Sequence, residues 1–457
     1  MNLFIMVSSR INHEEMNRQI LRLAIPNIIS NISVPLLGIV DMALMGRMDS
    51  DAYIGAIAIG SLIFNFIYWG FGFLRMGTSG FTAQAWGRRD LKETMLVLSR
   101  ALLLGLIFSL SLLILQWPLE WFSFKILKTE ADVEVLARAY FSIRIWAAPA
   151  VLGQYALLGW FLGMQNARLP MTVLISTNLS NIALNYYFVM VRGMGSEGVA
   201  LGTVIAQYTG LVLAVLLFRK YFSKLTSYWS VQATLNLAKL KRFLNVNRDI
   251  FIRTLCLIIV FSFFTARSAL ADTMDSGDDT ILAVNSLLMQ FFMFFSFLID
   301  GFAHASEALT GRFIGASDRT KLKKSVRLLF LWGTGIGLFF TLLYLAGSDQ
   351  IFALLTDNRD IINNARPYFT WVILIPLVSF GAFLWDGIFI GATAGKEMRN
   401  AMLFSTIFIF FPAYILLSKA IGNHGLWLAF ILFMLSRTIT MTVLAPRAIY
   451  PVIERRD

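Results

Sequence analysis

The stretch PNIISNISVPLLGIVD, residues 26–41, places two prolines, two asparagines and one carboxylate in a segment apolar enough to lie in a lipid bilayer. A charged Asp near the bilayer centre costs about 2.5–3.5 kcal/mol on insertion scales, so such a residue usually faces a cavity or a partner. Asp41 is therefore the first candidate for functional chemistry in this chain.

The composition indicates that the bilayer is the solvent for most of the chain. Of the 457 residues, 57% are hydrophobic and only 14% are charged, which excludes an ordinary soluble domain. The net charge of +12 lies in short basic runs between apolar segments. Such runs orient membrane helices and do not form one long face for nucleic acid. We therefore expect the lipid bilayer as a partner and no nucleic acid.

Enzymatic chemistry is not expected from this sequence. The single cysteine, Cys256, leaves no intrachain disulfide and no thiolate metal cluster. Only three histidines are present, scattered along the chain, and there is no HExxH, Walker or GxSxG motif. We expect no catalytic residue, no metal centre and no cofactor.

Apolar segments long enough to cross a bilayer recur along the whole chain. A spanning helix needs about 20 mostly apolar residues, and this length defines the candidates. The twelve predicted spans are residues 19–45, 53–79, 93–117, 135–162, 168–191, 197–219, 246–271, 280–308, 322–346, 364–391, 398–420 and 424–446. The connections after even-numbered spans are rich in Lys and Arg, so both termini are predicted to be cytoplasmic.

The two halves of the chain are related by an internal repeat with an offset of 228 residues. LLGWFLG (157–163) aligns with WDGIFIG (385–391), and GFTAQAWGRRD (80–90) aligns with ALTGRFIGASD (308–318). Glycines four residues apart in the first pair of motifs predict close helix packing. Six spans per half predict two lobes arranged as parallel repeats about an axis along the membrane normal. The predicted units are an N-lobe at 1–218, a basic cytoplasmic linker at 219–245 and a C-lobe at 246–457.

The first span offers both a titratable group and a means of bending. A carboxylic acid in a medium of low dielectric takes up a proton more readily than one in water, so Asp41 could bind and release a proton as its cavity dries and wets. A structural Asp bonded to neighbouring asparagines is the alternative. Pro26 and Pro35 predict a kinked helix, which is either a hinge or a static kink.

Span five carries a stripe of amides. Asn178, Asn181 and Asn185 are spaced by three and four residues, which places them on one helix face. Amides in lipid are costly without polar partners, so we expect the stripe to face Asp41. Two interpretations stay open. The amides either join helices through hydrogen bonds worth roughly 0.6–2 kcal/mol each, or they ligate a proton or cation.

The second half contains its own embedded acids. Asp300 and Glu307 are seven residues apart and therefore share a helix face, while Asp386 precedes a glycine of the repeat. These acids either belong to a substrate cavity or form structural ion pairs. The possible partners in the sequence are Arg253, Arg267 and His304.

Five segments resemble the multidrug and toxic compound extrusion (MATE) transporters, in their DinF-like branch. They are PNIISNISVPLLGIVDMALMG (26–46), FLRMGTSGFTAQAWG (73–87), LLGWFLGMQNARLP (157–170), LIDGFAHASEALTG (298–311) and LWDGIFIGATAGKEMRNAM (384–402). The resemblance covers nearly the whole chain. It implies a V-shaped pair of six-helix lobes in a bacterial inner membrane. It also implies export of cationic or amphipathic compounds by alternating access, in exchange for protons or sodium. We expect a monomer.

The resemblance also implies a coupling site in the N-lobe. The span-one Asp of the family falls on Asp41, the span-five Asn on Asn181 and the span-six Thr on Thr203. The bending proline falls on Pro26. Gln154 stands where an Asn is expected on span four.

One position departs from the family pattern. The span-five acid falls on Asn185, so the coupling site of the N-lobe has one titratable carboxylate and not two. This departure favours proton coupling through Asp41. Sodium at the Asp41 site is the alternative, as is a share of the coupling for the acids of the C-lobe.

A second function remains open, namely a flippase for a lipid-linked precursor. A flippase should line its cavity with several cations that bind pyrophosphate. The embedded arginines are few and scattered in the sequence, which favours the exporter. They are Arg75, Arg144, Arg253 and Arg267.

Overall fold

The structure, a computed structural model, describes residues 13–46, 51–127, 130–275 and 280–449. Within these ranges, the side chains of residues 39–45, 51, 271–275 and 280 lie outside the description. Almost all of the described chain is helical, and no strand occurs in it. The prediction of an all-α chain is therefore confirmed.

In the described residues, twelve long helices occupy the positions of the twelve predicted spans. In chain order they are α1 (His13–Met45), α2 (Ala52–Gly87), α3 (Leu91–Ile114), α4 (Ala131–Gly163), α5 (Arg168–Tyr186), α6 (Ser196–Phe222), α7 (Leu237–Asp275), α8 (Thr280–Gly315), α9 (Arg319–Leu355), α10 (Arg359–Gly391), α11 (Gly395–Ile421) and α12 (Asn423–Ala448). Short helices join some of them, namely Gln116–Ile126 after α3 and Ser223–Tyr228 and Val231–Thr234 between α6 and α7.

Eleven of these helices are long and apolar enough to cross a membrane by length and composition. The exception is α5, because its asparagines lower its hydropathy below that of the other helices. It continues into a π-helical turn at Tyr187–Val191. A polar helix that is nevertheless packed between α1 and α6 is a candidate for function.

The repeat of 228 residues is visible in the backbone. The four non-glycine residues with positive φ in the described chain form two pairs at this offset. They are Arg89 (59°) with Ser317 (53°), and Gln165 (62°) with Thr393 (55°). Each pair lies at the same turn of its half, directly after α2 and α8 or after α4 and α10. The two halves therefore share their turns as well as their helices.

The glycines of the repeat bring helices into backbone contact. A Cβ atom on Gly159 of α4 would meet the carbonyl oxygen of Arg75 in α2. At the equivalent position in the second half, a Cβ atom on Gly387 would meet the carbonyl oxygen of Ala303. Arg75 and Ala303 are themselves 228 residues apart. The predicted close packing at these glycines is thus present in both halves.

The ends of α2 and α8 join the two halves through a reciprocal contact. A Cβ atom on Gly87 would meet the carbonyl oxygen of Arg312, and one on Gly315 would meet the carbonyl oxygen of Gln84. The offset of 228 converts each contact into the other, so an approximate two-fold axis passes between the helices. The side chain of Gln84 adds a bond from Nε2 to the carbonyl oxygen of Gly391, at 3.0 Å.

Helix α1 runs without a break through both of its prolines and begins at His13, earlier than the predicted residue 19. Polar side chains near Pro26 bond back onto the helix. Asn27 Nδ2 donates to the carbonyl of Leu23 at 2.8 Å, and Ser30 Oγ donates to the carbonyl of Pro26 at 2.9 Å. Such bonds satisfy helix carbonyls near prolines in a membrane. The part of the helix around Pro26 is therefore stabilised by its own side chains.

Candidate functional site

The amide stripe of α5 forms a chain of hydrogen bonds with α6. Asn185 Nδ2 donates to Asn181 Oδ1 at 3.1 Å, and Asn181 Nδ2 donates to Thr203 Oγ1 at 3.0 Å. The Thr203 hydroxyl donates in turn to the carbonyl oxygen of Val199, at 2.7 Å. Both asparagines are buried. The structure therefore brings together three of the four residues that the resemblance assigns to the coupling site.

The same stripe joins α5 to α1. Asn178 Nδ2 donates to Ser33 Oγ at 2.9 Å, so these two residues mark equal heights on the two packed helices. Eight residues beyond Ser33, about 12 Å along the helix axis, lies Asp41. Seven residues beyond Asn178, about 10 Å along, lies Asn185. The backbone at Asp41 is thus level with Asn185, although the Asp41 side chain lies outside the described part of the structure.

Gln154 lies apart from this chain. Its Nε2 donates to the carbonyl oxygen of Gln207 at 2.8 Å and to the side-chain oxygen of Gln207 at 2.9 Å. The side chain therefore joins α4 to α6. The resemblance places Gln154 at a family position, but the described contacts do not link it to Asn181 or Thr203.

A central cavity of about 420 Å³ lies between α1, α2 and α4 of the first half and helices α7, α8, α10 and α12 of the second. Much of its wall is aromatic or sulfur-containing, including Trp69, Phe261, Phe292, Met293 and Phe383. Such walls adapt to apolar and cationic ring systems. The ionisable side chains that line it, apart from tyrosine, are Arg75, Arg253, Asp300, His304, Glu307, Asp386 and Arg437.

Asp386 is held by two arginines. Its Oδ2 accepts hydrogen bonds from Arg437 Nη2, at 2.6 Å, and from Arg253 Nη2. All three side chains are buried, with Asp386 5% exposed. Sequence reasoning named Arg253 but missed Arg437, for which an arginine inside the apolar run FILFMLSRTITM (430–441) was the available signal. Because two guanidinium groups bind this one carboxylate, Asp386 is a poor ligand for a further cation.

Arg267, one of the possible partners of the acids, lies elsewhere in the described structure. Its guanidinium lies over the rings of Phe263 and Tyr414, at 5.2 and 5.6 Å from their centroids. Helical periodicity predicts which face of α7 carries Arg267. It does not predict which neighbouring helix packs against that face. Cation–π contact with two aromatic rings offers the guanidinium a partner within the membrane.

Of the two acids on α8, Glu307 lies beside His304, one of its possible partners, and neither acid meets an arginine in the described residues. Glu307 is buried, and its Oε2 lies 3.6 Å from His304 Nδ1. The Oε1 atom of Glu307 has no hydrogen-bond partner in the described residues. Asp300 has only a marginal bond from Ser296 Oγ, at 3.5 Å, and neither acid pairs with Arg253 or Arg267 in the described chain. Both line the central cavity, as their shared face predicts.

The arginines are less scattered than the sequence suggested. Arg75 and Arg253 line the same cavity, together with Arg437. Arg144 lies near the rings of Phe64 and Tyr68, away from this cavity. The cavity therefore has three cations, but two of them share one carboxylate. In the described residues, no group of three His, Cys, Asp or Glu side chains could hold a metal ion.

Comparison with known proteins identifies similar chains. The MatE family model matches residues 26–187 and again residues 252–415, once in each half. DNA damage-inducible protein F of Escherichia coli is 37% identical over 422 residues, which cover 92% of this chain and 90% of that protein. Human multidrug and toxin extrusion protein 1 is 27% identical over 328 residues, which cover 70% of this chain and 54% of that protein.

Solved structures agree on the fold. An outward-facing MATE family transporter of the MOP superfamily superposes with a TM-score of 0.82 at 19% identity, covering 96% of this chain and 97% of that one. The eukaryotic MATE transporter AtDTX14 superposes with a TM-score of 0.84 at 13% identity, covering 97% of this chain and 99% of that one. The likeness extends over nearly the whole of both chains and matches the prediction of twelve helices in two lobes.

Proposed function

Because this chain belongs to the MatE family of multidrug and toxin extrusion transporters, we propose that it is a proton-driven exporter of cationic or amphipathic organic compounds. It is a transporter and not an enzyme. It works as a monomer in a bacterial inner membrane, with both termini in the cytoplasm. Residues 1–218 and 246–457 act as its two lobes, and residues 219–245 link them.

The hydrogen-bond chain from Asn185 through Asn181 to Thr203 carries this proposal. It lies on the helix that packs against α1 and reaches the level of Asp41. An ionised carboxylate only accepts hydrogen bonds, whereas a protonated one also donates. Amides can serve both forms, because each has an NH₂ donor and a carbonyl acceptor. Protonation of Asp41 therefore rearranges these hydrogen bonds without leaving a polar group in the membrane that lacks a hydrogen-bond partner.

The rearrangement is coupled to movement of α1. Asn178 ties α5 to Ser33 of α1, so a shift in the amide stripe acts directly on that helix. Pro26 lacks a backbone N–H and lowers the cost of bending there. Bending of α1 at Pro26 reduces the volume of the N-lobe cavity, and the substrate then leaves toward the outside of the cell. Pro35 offers a second bending point within the same helix.

Proton coupling is favoured over sodium because the site has one carboxylate. A second carboxylate at Asn185 would add a formal charge that favours sodium binding, and an amide is present there instead. In the other lobe, Asp386 is engaged by two arginines, which leaves Asp300 and Glu307 as the acids able to share in the coupling.

Purified protein in liposomes tests the proposal, with proton and sodium gradients imposed independently. The wild type should export a cationic dye when the proton gradient alone is present. Asp41→Asn should abolish the response to the proton gradient. Asp349→Asn is the matched control, because that carboxylate is exposed and only pairs with Arg366 at the surface. Full proton-driven efflux by Asp41→Asn at normal expression would contradict the mechanism.

The flippase hypothesis is tested in the same liposomes. Three arginines near one cavity are the feature that such a function would use. However, Asp386 offsets one of the two positive charges of Arg253 and Arg437, which weakens their attraction for pyrophosphate. Movement of a lipid-linked pyrophosphate head group, without dye export, would favour the flippase over the exporter.

A further inference from the structure

The ionisable side chains of the central cavity are mostly paired with one another. Asp386 binds both Arg253 and Arg437, and His304 lies beside Glu307. In the described residues, Arg75 and Asp300 are the charged cavity side chains that have no ion pair, whereas Glu307 has only His304 beside it, at 3.6 Å. Arg75 belongs to α2 of one half and Asp300 to α8 of the other, so one charge of each sign faces the cavity from opposite sides.

Neither of these charges has a strong partner in the described residues. Arg75 makes no hydrogen bond or ion pair there, and Asp300 has only the marginal contact with Ser296. Both side chains are half-buried. Asp300 also lies within electrostatic range of His304 and Arg253, but in the described residues it forms no ion pair with either of them or with Arg75. Charges inside a membrane protein are costly unless they are paired, so unpaired ones that face a cavity indicate a ligand.

The repeat shows that the fold itself does not require these charges. The offset of 228 relates Arg75 to Ala303, and it relates Asp300 to Gly72. All four residues line the cavity. Each half therefore has the same two cavity-lining positions. In the first half only the second position, Arg75, is charged, and in the second half only the first position, Asp300, is charged. Small uncharged residues satisfy the packing at the equivalent places.

We propose that Arg75 and Asp300 form a two-charge substrate site that selects zwitterionic amphipathic compounds. Arg75 binds the carboxylate of the compound, for which the planar guanidinium fork is suited. Asp300 binds its amine or other cationic centre. The aromatic side chains of the wall contact the ring system between the two charges. This inference rests on the proposed export function and adds a charge requirement to it.

A matched pair of dyes separates this site from a general cation site. Rhodamine B is zwitterionic, and its ethyl ester has the same ring system but only the positive charge. Binding of each dye to purified protein is measured by fluorescence anisotropy. In the wild type, the ester should bind several-fold more weakly than the zwitterion, because it leaves Arg75 unpaired. Tighter binding of the ester than of the zwitterion would overturn the inference, and this comparison requires no variant.

Variants then assign the two charges. Arg75→Gln should weaken binding of rhodamine B by about tenfold, the size expected for loss of one charge-assisted bond, and leave the ester unchanged. Arg75→Lys keeps the charge and should retain most of the affinity. Asp300→Asn should weaken both dyes. Arg192→Gln, at an exposed arginine, is the control.

The outcomes distinguish this inference from the proposed function. An equal effect of Arg75→Gln on the two dyes, or no effect on either, would overturn the two-charge site. If the ester is bound and exported but the zwitterion is not, the export function stands and this inference fails. If neither dye is bound or exported, both fail.

Discussion

The reciprocal contact between α2 and α8 gives a quantitative test of how the two halves close on each other. In Gly315→Ala the new Cβ atom would overlap the carbonyl oxygen of Gln84. A backbone oxygen cannot rotate away as a flexible side chain can. Within a helix, alanine is normally favoured over glycine by about 1 kcal/mol. Here the overlap reverses that preference, because the two helices must separate to admit the methyl group.

The expected magnitude follows from the cost of overpacking. Extra methyl groups in a tightly packed interior cost about 1–3 kcal/mol. This cost falls on the arrangement in which α2 and α8 touch. The population of that arrangement, relative to the one in which the helices are separated, therefore drops roughly 5- to 150-fold. The repeat adds a stricter condition. Gly87→Ala should have the same effect as Gly315→Ala, because it meets Arg312 in the equivalent geometry.

Distances between spin labels measure this change. Cys256 is buried, so cysteines introduced at the exposed positions Lys92 and Lys396 can be labelled selectively. Both alanine variants should shift the distance distribution to longer values and slow dye export. Gly335→Ala is the matched control, because its Cβ atom meets nothing within 4 Å. Unchanged distances in Gly315→Ala, in a protein that still exports dye, would refute the reasoning.

Three further predictions concern charges and amides. Asp386→Asn should lower the free energy of unfolding by about 3–5 kcal/mol, measured by denaturant titration in detergent, because two buried guanidinium groups lose their carboxylate. Lys239→Gln should cost at most about 1 kcal/mol in the same assay, and less at high salt, since Lys239 is 54% exposed in its ion pair with Glu93. Asn185→Asp adds a second carboxylate to the coupling site of the N-lobe and should make dye export respond to an imposed sodium gradient, which liposome transport detects.

Much of the architecture could be predicted from the sequence because it depends on local patterns. Apolar length defines a spanning helix, and an offset between matching motifs defines a repeat. The asparagine stripe was likewise visible as a spacing of three and four residues, and the structure joins Asn181 and Asn185 directly. These signals lie within one helix or within one pair of aligned segments.

The partners across helices could not be predicted in this way. Asp386 lies 133 residues from Arg253 and 51 residues from Arg437, and each residue is on a different helix. Periodicity shows which side chains share a face, but the rotation of each helix against its neighbours decides which faces meet. For this reason Arg267, an equally plausible partner in the sequence, lies on aromatic rings instead.

The repeat helps to separate residues that build the fold from those that serve its function. Where the halves agree, the shared residues have backbone roles, such as the tight glycine contacts and the aspartates that accept bonds from the first turns of α3 and α9. Where the halves differ in charge at equivalent positions, the shared fold does not require the charge. The presence of the charged residue then has another cause. For Asp386 that cause is a pair of buried arginines, so its loss should mainly reduce stability. For Arg75 and Asp300 the described structure supplies no such partner, and their loss should mainly change what the cavity binds. Four such charged residues, with their uncharged counterparts, are Asp41 with Ala269, Arg75 with Ala303, Asp300 with Gly72 and Asp386 with Leu158.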